Sequence, residues 1–275
     1  MTERPASAPR RSALTIAGSD SGGGAGIQAD LKTFAAHGVH GLSALAALTA
    51  QHTRGVSAVH VPDTGFLRAQ IDACFDDFAI GAVKLGMLAN AAVIHAVADA
   101  LEHYRPAQVV LDPVMVATSG ARLLEPEALD ALRGRLLPLA SLVTPNLPEA
   151  ELLLGRPIAD RGDMRAAVQA LFAIGARAVL LKGGHLPGDG DVVDLYADAG
   201  TLREIAHPRL AVNAHGTGCT LASAVAANLC RGEPLEPACV AAADYVHAAL
   251  RGGYRPGRSE VLVLDHFGAA PHGRQ

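Results

Sequence analysis

A five-residue segment from His215 to Cys219 has the residue types and spacing of an anion-binding helix start. It reads HGTGC and precedes a run of small residues that predicts a helix. The first turn of a helix carries unpaired backbone N–H groups and the positive dipole end, and glycines let an anion approach them. With Cys219 facing whatever carries the anion, the segment indicates phosphoryl transfer. The same letters also suit a glycine-rich helix start beside a buried cysteine.

A second glycine-rich segment, residues 18–26, lies between the first predicted strand and helix. Such a loop can indicate a dinucleotide site, which requires an acidic residue about 20 positions later for the ribose hydroxyls. The chain has no Asp or Glu from Leu31 to Pro62, and the second predicted strand is followed by Gln51. A neutral amide suits a polar heterocycle better than a ribose. We therefore expect this loop to fold around a small substrate.

Polar residues follow many of the predicted strands at the point where each strand ends. They are Asp20, Gln51, Lys84, Asp112, Asn146 with Glu149, and Lys182. Ligands of open α/β sheets bind beyond the carboxyl ends of the strands, so these side chains are expected to converge. Each of them alone could also be a solvated rim or turn residue. The sequence contains no Walker A motif and no protein-kinase signature, so a bound nucleotide would be held by another arrangement.

Three of these residues suggest contacts with phosphate and metal. Lys182 precedes two glycines, where its ammonium group could neutralise phosphate charge. Asn146 and Glu149 lie one helical turn apart, a spacing that suits a carboxylate reaching Mg²⁺ directly or through water. The same pair also fits a helix cap followed by an acidic residue in the first turn.

The composition narrows the class of protein. The chain has 275 residues, half of them hydrophobic, and a net charge of -4, which favours one large α/β domain and no nucleic-acid partner. Its four cysteines have no metal-type spacing, so we expect a reducing, cytoplasmic compartment. Residues 33–53 and 210–230 are uncharged but contain polar groups, and they are interpreted as buried elements and not as membrane spans.

Apolar runs alternate with helix-period segments, which predicts a mainly parallel sheet covered by helices. Strands are predicted at residues 13–17, 42–49, 79–84, 108–111, 141–143 and 178–181, with a hairpin at 191–196 and 201–206. Helices are predicted at residues 26–37, 64–78, 91–104, 125–136, 148–154, 163–174, 216–230 and 235–251. A single domain is expected over residues 13–267, between flexible tails at 1–12 and 268–275.

Six segments in this order resemble a known family over nearly the whole chain, from Ala13 to Phe267. They are residues 13–20 (ALTIAGSD), 23–34 (GGAGIQADLKTF), 111–115 (LDPVM), 144–150 (TPNLPEA), 181–185 (LKGGH) and 215–219 (HGTGC). Together they resemble the hydroxymethylpyrimidine/phosphomethylpyrimidine kinases of thiamine biosynthesis. The resemblance implies a ribokinase-like three-layer α/β/α sandwich that uses ATP and Mg²⁺. It also implies phosphorylation of 4-amino-5-hydroxymethyl-2-methylpyrimidine and then of its monophosphate, and a homodimer.

The resemblance also implies a role for particular residues. Those expected at the transferring phosphoryl group are Gly216, Gly218, Cys219 and Lys182. Those expected around the pyrimidine are Gln51, Gly18, Asp30 and Met87. Those expected at the nucleotide are Lys182, Thr217 and Asn146, and those expected at Mg²⁺ are Glu149 and Asp112. Many sugar kinases of this fold carry an Asp where this chain has Cys219, and we expect the thiol mainly to orient the substrate hydroxyl.

The chain departs from the family pattern in the first glycine loop. Ser21 stands where the family commonly has proline, and this predicts a looser turn because proline fixes φ. His52 follows Gln51 where asparagine is frequent. Two other functions remain open from the sequence, a pyridoxal kinase built on the same machinery and a pyrimidine sensor without turnover.

Overall fold

Nine strands form one central sheet in the computed structural model, which describes residues 11–116, 120 and 123–271. They are β1 Ser12–Asp20, β2 His40–His52, β3 Gly55–His60, β4 Ile80–Leu85, β5 Val109–Leu111, β6 Leu142–Val143, β7 Val179–Leu181, β8 Val192–Ala197 and β9 Leu202–His207. Their order across the sheet is 3-2-1-4-5-6-7-8-9. The six strands from β2 to β7 in this order are parallel, whereas β3 pairs antiparallel at one edge and β8 and β9 at the other. A separate small sheet pairs β10 Ala214–His215 with β11 Leu262–Val263.

Helices cover both faces of this sheet. They are α1 Gly26–Ala36, α2 Thr64–Asp77, α3 Ala91–Tyr104, α4 Ala128–Ala131, α5 Leu147–Leu154, α6 Arg161–Ala173, α7 Thr217–Cys230 and α8 Leu235–Arg251. Successive side chains of a strand point to opposite faces, so Leu14 and Ile16 of β1 join the core under α2 to α6, and Ala13 joins the core under α1, α7 and α8. This is the predicted α/β/α sandwich. Within the described ranges, no helix has the length and apolar character needed to cross a bilayer.

The predicted strands and the hairpin are confirmed, but one edge strand of the central sheet was not predicted and one predicted helix differs from the structure. Strand β3 was not predicted, although the turn at Gly55 and the β-branched residues Val56 and Val59 are strand signals. The single helix predicted at residues 125–136 is wrong, since only Ala128–Ala131 is α-helical and a π turn and a 3₁₀ turn follow it. Gly134 and Pro138 lie in this segment, and both disfavour a regular helix.

The structure also changes the predicted limits of the domain. Ser12 already begins β1, and the Arg11 guanidinium donates a hydrogen bond to the carbonyl of Cys230 at 2.9 Å. At the other end, the N–H of Gly268 donates to the carboxylate of Asp265. Residues 11, 12 and 268–271 therefore belong to the described structure and not to the tails. The remaining tail residues, 1–10 and 272–275, lie outside the described residues.

The strand order reverses at β1. The next parallel strand along the chain, β2, lies on one side of β1, and the following one, β4, lies on the other side. Ligands of doubly wound sheets bind at such a point, beyond the carboxyl ends of the strands. Strands β1, β4, β5, β6 and β7 all end at this edge because they are parallel. The sheet order therefore brings the polar residues that follow these strands together.

A buried carboxylate fastens helices α1 and α7 to this part of the sheet. Asp30 of α1 accepts hydrogen bonds from Thr15 of β1 at 2.6 Å and from Ser223 of α7 at 2.7 Å. Lys84 of β4 donates to both of its oxygens, at 3.0 and 2.9 Å, and both charged side chains are fully buried. Burial alone lowers the pKa of Lys84, but the charge of Asp30 raises it above its ordinary value. Four hydrogen bonds thus converge on the Asp30 carboxylate, and the buried Lys84 ammonium group has its countercharge in direct contact.

Replacing Asp30 with asparagine would leave the Lys84 ammonium buried without a countercharge. We expect Asp30→Asn to lower the free energy of unfolding by about 3–5 kcal/mol, measured by urea denaturation. The double variant Asp30→Leu with Lys84→Met removes both charges and should regain most of this loss. A loss below about 1 kcal/mol for Asp30→Asn would show that the pair does not hold the layers together.

Candidate active site

A cavity of about 620 Å³ lies over the carboxyl ends of the parallel strands and reaches the first turn of α7. Most of the residues selected from the sequence line it. They are Gly18, Gln51, Met87, Asp112, Asn146, Glu149, Lys182, Gly216, Thr217, Gly218 and Cys219. These residues therefore lie together around one cavity. Asp30 is the exception, because it lies behind the cavity wall.

Helix α7 begins at the cavity without a side-chain cap. Its N-cap residue is Gly216, which has φ of 85° and no side chain. This conformation favours glycine, and a Cβ at Gly216 would collide with the carbonyl of Gly24 in the first glycine loop. The N–H groups of Thr217, Gly218 and Cys219 are thus left for a ligand. Backbone donors and the helix dipole together form the anion hole expected from the sequence.

Lys182 stands beside this helix start at the end of β7. Its Nζ lies 3.0 Å from Oδ1 of Asp112 and 3.8 Å from Oε2 of Glu149. A Cβ at Gly218 would lie 3.0 Å from the same Nζ, so glycine lets the ammonium group come close to the first turn. Burial alone lowers the pKa of Lys182, and the two carboxylates outweigh it and raise that pKa. The side chain therefore keeps its positive charge next to the anion hole.

Glu149 and Asp112 form an acidic pair on the opposite side of Lys182. Glu149 closes a capping box with Asn146, in which each residue's side chain accepts the backbone N–H of the other at 2.8 and 2.9 Å. Burial raises the pKa of Glu149 to about 7, with the charge of Lys182 opposing and that of Asp112 adding to the shift. A divalent cation would relieve this repulsion. Two carboxylates are what Mg²⁺ usually takes from a protein when phosphates supply further oxygens.

No group of three or more His, Cys, Asp or Glu side chains in the described residues has the arrangement of a metal site. A dedicated protein cage, such as a structural zinc site, is therefore not part of the described structure. The pair of Asp112 and Glu149 fits a cation that arrives with its phosphate ligands.

Cys219 lies in the first turn of α7, half-buried, with its thiol beside the cavity. Burial raises its pKa to about 11, against the opposing effect of the nearby Lys84 charge. A thiol with this pKa is protonated at neutral pH, although a helix N-terminus often lowers such values. The thiol can therefore donate or accept a hydrogen bond but is a poor base.

The first glycine loop is fixed by hydrogen bonds in place of the family's proline. The Asp20 carboxylate accepts the backbone N–H groups of Gly22, Gly24 and Ala25 at 2.7, 3.0 and 2.9 Å. The Ser21 hydroxyl donates to the carbonyl of Gln51 and accepts its N–H, both at 2.8 Å. Burial raises the pKa of Asp20, but its hydrogen bonds, led by that of His215, more than offset this and lower it. The loosening predicted from the loss of proline is therefore countered by Ser21 and Asp20.

Gln51 and the residues around it form a pocket with one polar edge and apolar walls. The Gln51 carboxamide lies 2.9 Å from the Thr49 hydroxyl and 2.9 Å from Nε2 of His215. Met87 packs on the wall, and a Cβ at Gly18 would come within 3.0 Å of its sulfur. Glycine at position 18 therefore keeps a flat space open beside Met87. Such a space suits a planar heterocycle recognised by an amide.

Two sequence predictions need correction or extension. Asp30 was expected beside the substrate, but its carboxylate is fully buried and occupied by Thr15, Lys84 and Ser223. Its side chain holds helices α1 and α7 against the sheet behind the cavity wall and does not line the cavity. Lys84 lines the cavity with no role assigned from the sequence, although its place at the end of a strand was a usable signal.

Sequence reasoning also missed His215 and the far end of the cavity. His215 was part of the HGTGC segment but was given no function, and it contacts both Asp20 and Gln51. The far end, beyond α7, is lined by apolar residues on a loop and on α8. They include Pro208, Leu210, Val212, Ala243, Val246 and Leu250. These residues are ordinary core types and have no motif that would reveal them.

The comparisons with known proteins identify the family of the chain. The family model described as phosphomethylpyrimidine kinase matches residues 20–263. The hydroxymethylpyrimidine/phosphomethylpyrimidine kinase of Rhizobium meliloti is 53% identical over 245 residues, which are 88% of this chain and 91% of that protein. A thiamine biosynthesis bifunctional protein of Geobacter sulfurreducens is 52% identical over 97% of this chain. The chain spans about half of that protein, 54% of its length.

A solved structure with a similar fold is the ADP complex of Bacillus subtilis pyridoxal kinase. It has a TM-score of 0.87 and 36% sequence identity, and the match covers 94% of this chain and 98% of that one. The similarity to a pyridoxal kinase is lower in sequence than the similarity to the Rhizobium protein. From its family match and its relatives, this chain belongs to the phosphomethylpyrimidine kinase family.

Proposed function

We propose that the protein transfers the γ-phosphoryl group of ATP to the hydroxymethyl oxygen of 4-amino-5-hydroxymethyl-2-methylpyrimidine, and then phosphorylates the resulting monophosphate. One observation carries this proposal. A single cavity joins the uncapped start of α7, flanked by Lys182, to the pocket of Gln51. The names of the relatives support the same substrate.

The phosphoryl donor occupies the part of the cavity beyond α7. Its base lies among the apolar residues at the far end, and its phosphates extend to the first turn of α7, where Thr217 and Asn146 lie close by. The ADP complex of the Bacillus subtilis neighbour supports this use of a nucleotide. Asp112 and Glu149 would hold Mg²⁺, which when bound neutralises phosphate charge.

The acceptor occupies the pocket between Gln51 and Met87. The carboxamide of Gln51 pairs with the amino edge of the ring, and Gly18 leaves room for the ring beside Met87. This placement directs the hydroxymethyl group toward Cys219 and the start of α7. The acceptor oxygen then lies next to the anion hole.

The chain promotes transfer by placing charges and donors around the moving phosphoryl group. The free backbone N–H groups in the first turn of α7, which follows Gly216 and includes Gly218, and the ammonium group of Lys182 stabilise its oxygens. The thiol of Cys219 is protonated and orients the acceptor hydroxyl, whose proton leaves late if the transition state is loose. Position and charge, more than a strong base, supply the acceleration.

The test is an ADP-release assay with Mg²⁺ and ATP that compares the hydroxymethylpyrimidine, its monophosphate and pyridoxal. We expect turnover on both pyrimidines and a kcat/KM for pyridoxal at least about tenfold lower, because the two rings present different hydrogen-bonding edges to Gln51. A preference for pyridoxal, the activity named for the structural neighbour, would assign the protein to pyridoxal phosphorylation. Pyrimidine binding without ADP release would indicate a sensor.

Removing the Lys182 ammonium group should slow transfer more than it weakens binding of the pyrimidine. We expect Lys182→Ala to lower kcat by about 100- to 1000-fold, the size measured when one oxyanion donor is lost, with the pyrimidine KM changed less than about threefold. Arg165→Ala is the matched control, because this cation pairs with Glu204 on the surface. If kcat/KM falls mainly because the KM for the pyrimidine rises, this result would contradict the role of Lys182 at the phosphoryl group.

We also propose that two copies of the chain pair through the β3 edge of the sheet. An edge strand leaves a row of backbone N–H and C=O groups available for pairing, and Val59 of β3 and Leu48 of β2 are 44% and 38% exposed. Light scattering after size exclusion should give the mass of two chains, and Val59→Asp should give the mass of one. Leu202→Asp, on the opposite edge of the sheet, is the control and should remain a dimer. A dimeric Val59→Asp variant would place the interface elsewhere.

A further inference from the structure

Four polar side chains form a continuous row beside the pocket of Gln51. Nε2 of His215 lies 3.1 Å from Oδ2 of Asp20 and 2.9 Å from Nε2 of Gln51. Oε1 of Gln51 lies 2.9 Å from the hydroxyl of Thr49, which is also 2.9 Å from the carbonyl of Ser19. These distances are all within hydrogen-bonding range, so the protons of the row must be mutually consistent.

In this orientation of the Gln51 carboxamide, the protons conflict at two places. A carboxylate only accepts, so Nε2 of His215 must carry a proton toward Asp20, and the Gln51 amide nitrogen would then face an N–H with its own protons. The hydroxyl of Thr49 has one proton, but both the Ser19 carbonyl and Oε1 of Gln51 would need it. Two of the four contacts would be repulsive or unmade.

A half-turn of the carboxamide exchanges its oxygen and nitrogen, removes the repulsive contact with His215 and leaves the Thr49 proton with one acceptor. Oε1 of Gln51 and the Asp20 carboxylate then share the Nε2–H of His215 in a bifurcated hydrogen bond. The amide nitrogen of Gln51 donates to the Thr49 oxygen, whose own proton goes to the carbonyl of Ser19. The shape of the side chain is unchanged, because the two ends of a carboxamide differ little in size and are assigned by their hydrogen bonds. Every donor in the row then meets an acceptor.

The two ends of the row are fixed by the backbone around them. Asp20 is held as an acceptor by the N–H groups of Gly22, Gly24 and Ala25. The carbonyl of Ser19 at the other end can only accept. The row therefore has one consistent direction, from the donor His215 through Gln51 to Thr49. Reversing the carboxamide would break contacts at both of its sides.

We propose that His215 and Thr49 are positioning residues that hold the Gln51 carboxamide in one orientation and so make the pocket selective for a ring with an amino group beside an unprotonated nitrogen. This inference rests on the proposed function, since it takes the pyrimidine to bind at Gln51. A free carboxamide could turn to suit either an amino or an oxo ring, whereas a fixed one cannot.

The direction of the row agrees with the chemistry of the proposed substrate. His215 directly precedes Gly216 at the start of α7, so the carboxamide oxygen lies on the phosphoryl side of the pocket. In the substrate, the 4-amino group is next to the carbon that bears the hydroxymethyl group. When that group faces α7, the amine meets the carboxamide oxygen and the ring nitrogen meets the carboxamide N–H.

In the deaminated 4-oxo analogue, the hydrogen-bond donor and acceptor on this edge of the ring are exchanged. A 4-oxo group would face the oxygen of Gln51, and the protonated ring nitrogen would face its N–H. Both contacts are repulsive while the row holds the carboxamide in place. The pocket therefore rejects a ring that differs from the substrate by one functional group and has nearly the same shape.

The first arm of the test measures kcat/KM for the 4-amino and 4-oxo hydroxymethylpyrimidines. We expect an amino-over-oxo ratio of at least about 100 in the unmodified protein, because reversed buried hydrogen bonds are rejected strongly. His215→Phe and Thr49→Val should each lower this ratio at least about tenfold by freeing the carboxamide to turn. Thr49→Ser keeps the oxygen and should keep the ratio. A ratio that stays high in both Phe and Val variants would overturn the proposal.

The second arm does not depend on activity. Nitrogen-15 NMR of the histidine side chains in the unmodified protein should show a proton on Nε2 of His215, assigned by comparison with His215→Phe. A proton on Nδ1 alone would make Nε2 an acceptor and would overturn the proposed direction of the row. If the protein phosphorylates neither ring, the proposed function fails, and this measurement alone decides whether the row is directed as inferred.

Discussion

The buried carboxylate of Asp30 is the contact on which the geometry of the site depends. It collects donors from β1, β4 and α7, and the one from α7, Ser223, lies one turn beyond the Cys219 thiol. Taking the Asp30 and Lys84 charges out of water is unfavourable by itself, and only complete hydrogen bonding offsets it. The helix start can therefore occupy few positions relative to the strand ends, and this fixes the anion hole.

Positive and negative groups alternate around the cavity. The start of α7 and the ammonium groups of Lys84 and Lys182 are positive, and Asp112 and Glu149 place two carboxylates against Lys182. In the proposed reaction, a phosphate group would be attracted to the first set and its metal ion to the second. Asp20 lies on the other side of the cavity and uses its charge to hold the glycine loop and His215. Recognition of the ring and binding of phosphate thus share one polar framework.

The sequence was sufficient for most of the sheet, the helix layers and the polar residues at the strand ends of the cavity, because these follow from periodicity and from the residues that end the strands. It could not place Asp30, since an acidic residue in a helix gives no sign of whether it faces a ligand or a buried lysine. The irregular segment after α4 and the edge strand β3 depend on local turn geometry and on pairing at the edge. The role of His215 depends on its contact with Gln51, which lies 164 positions away in the sequence. No local sequence pattern indicates such a contact.

The central claim is that placement and charge neutralisation drive the transfer, with Cys219 protonated because burial raises its pKa to about 11. The most direct measurement is kcat of the Cys219→Ser variant at saturating ATP and pyrimidine, with nucleotide binding measured in parallel to show that the site is intact. A serine hydroxyl can orient the acceptor as the thiol does, but it is a far weaker acid and cannot replace a thiolate as a base. If orientation is the role of Cys219, kcat should therefore stay within about tenfold of the unmodified value. A fall of about a hundredfold or more with binding unchanged, the size that general base catalysis supplies, would contradict the claim and make the thiolate the catalytic base.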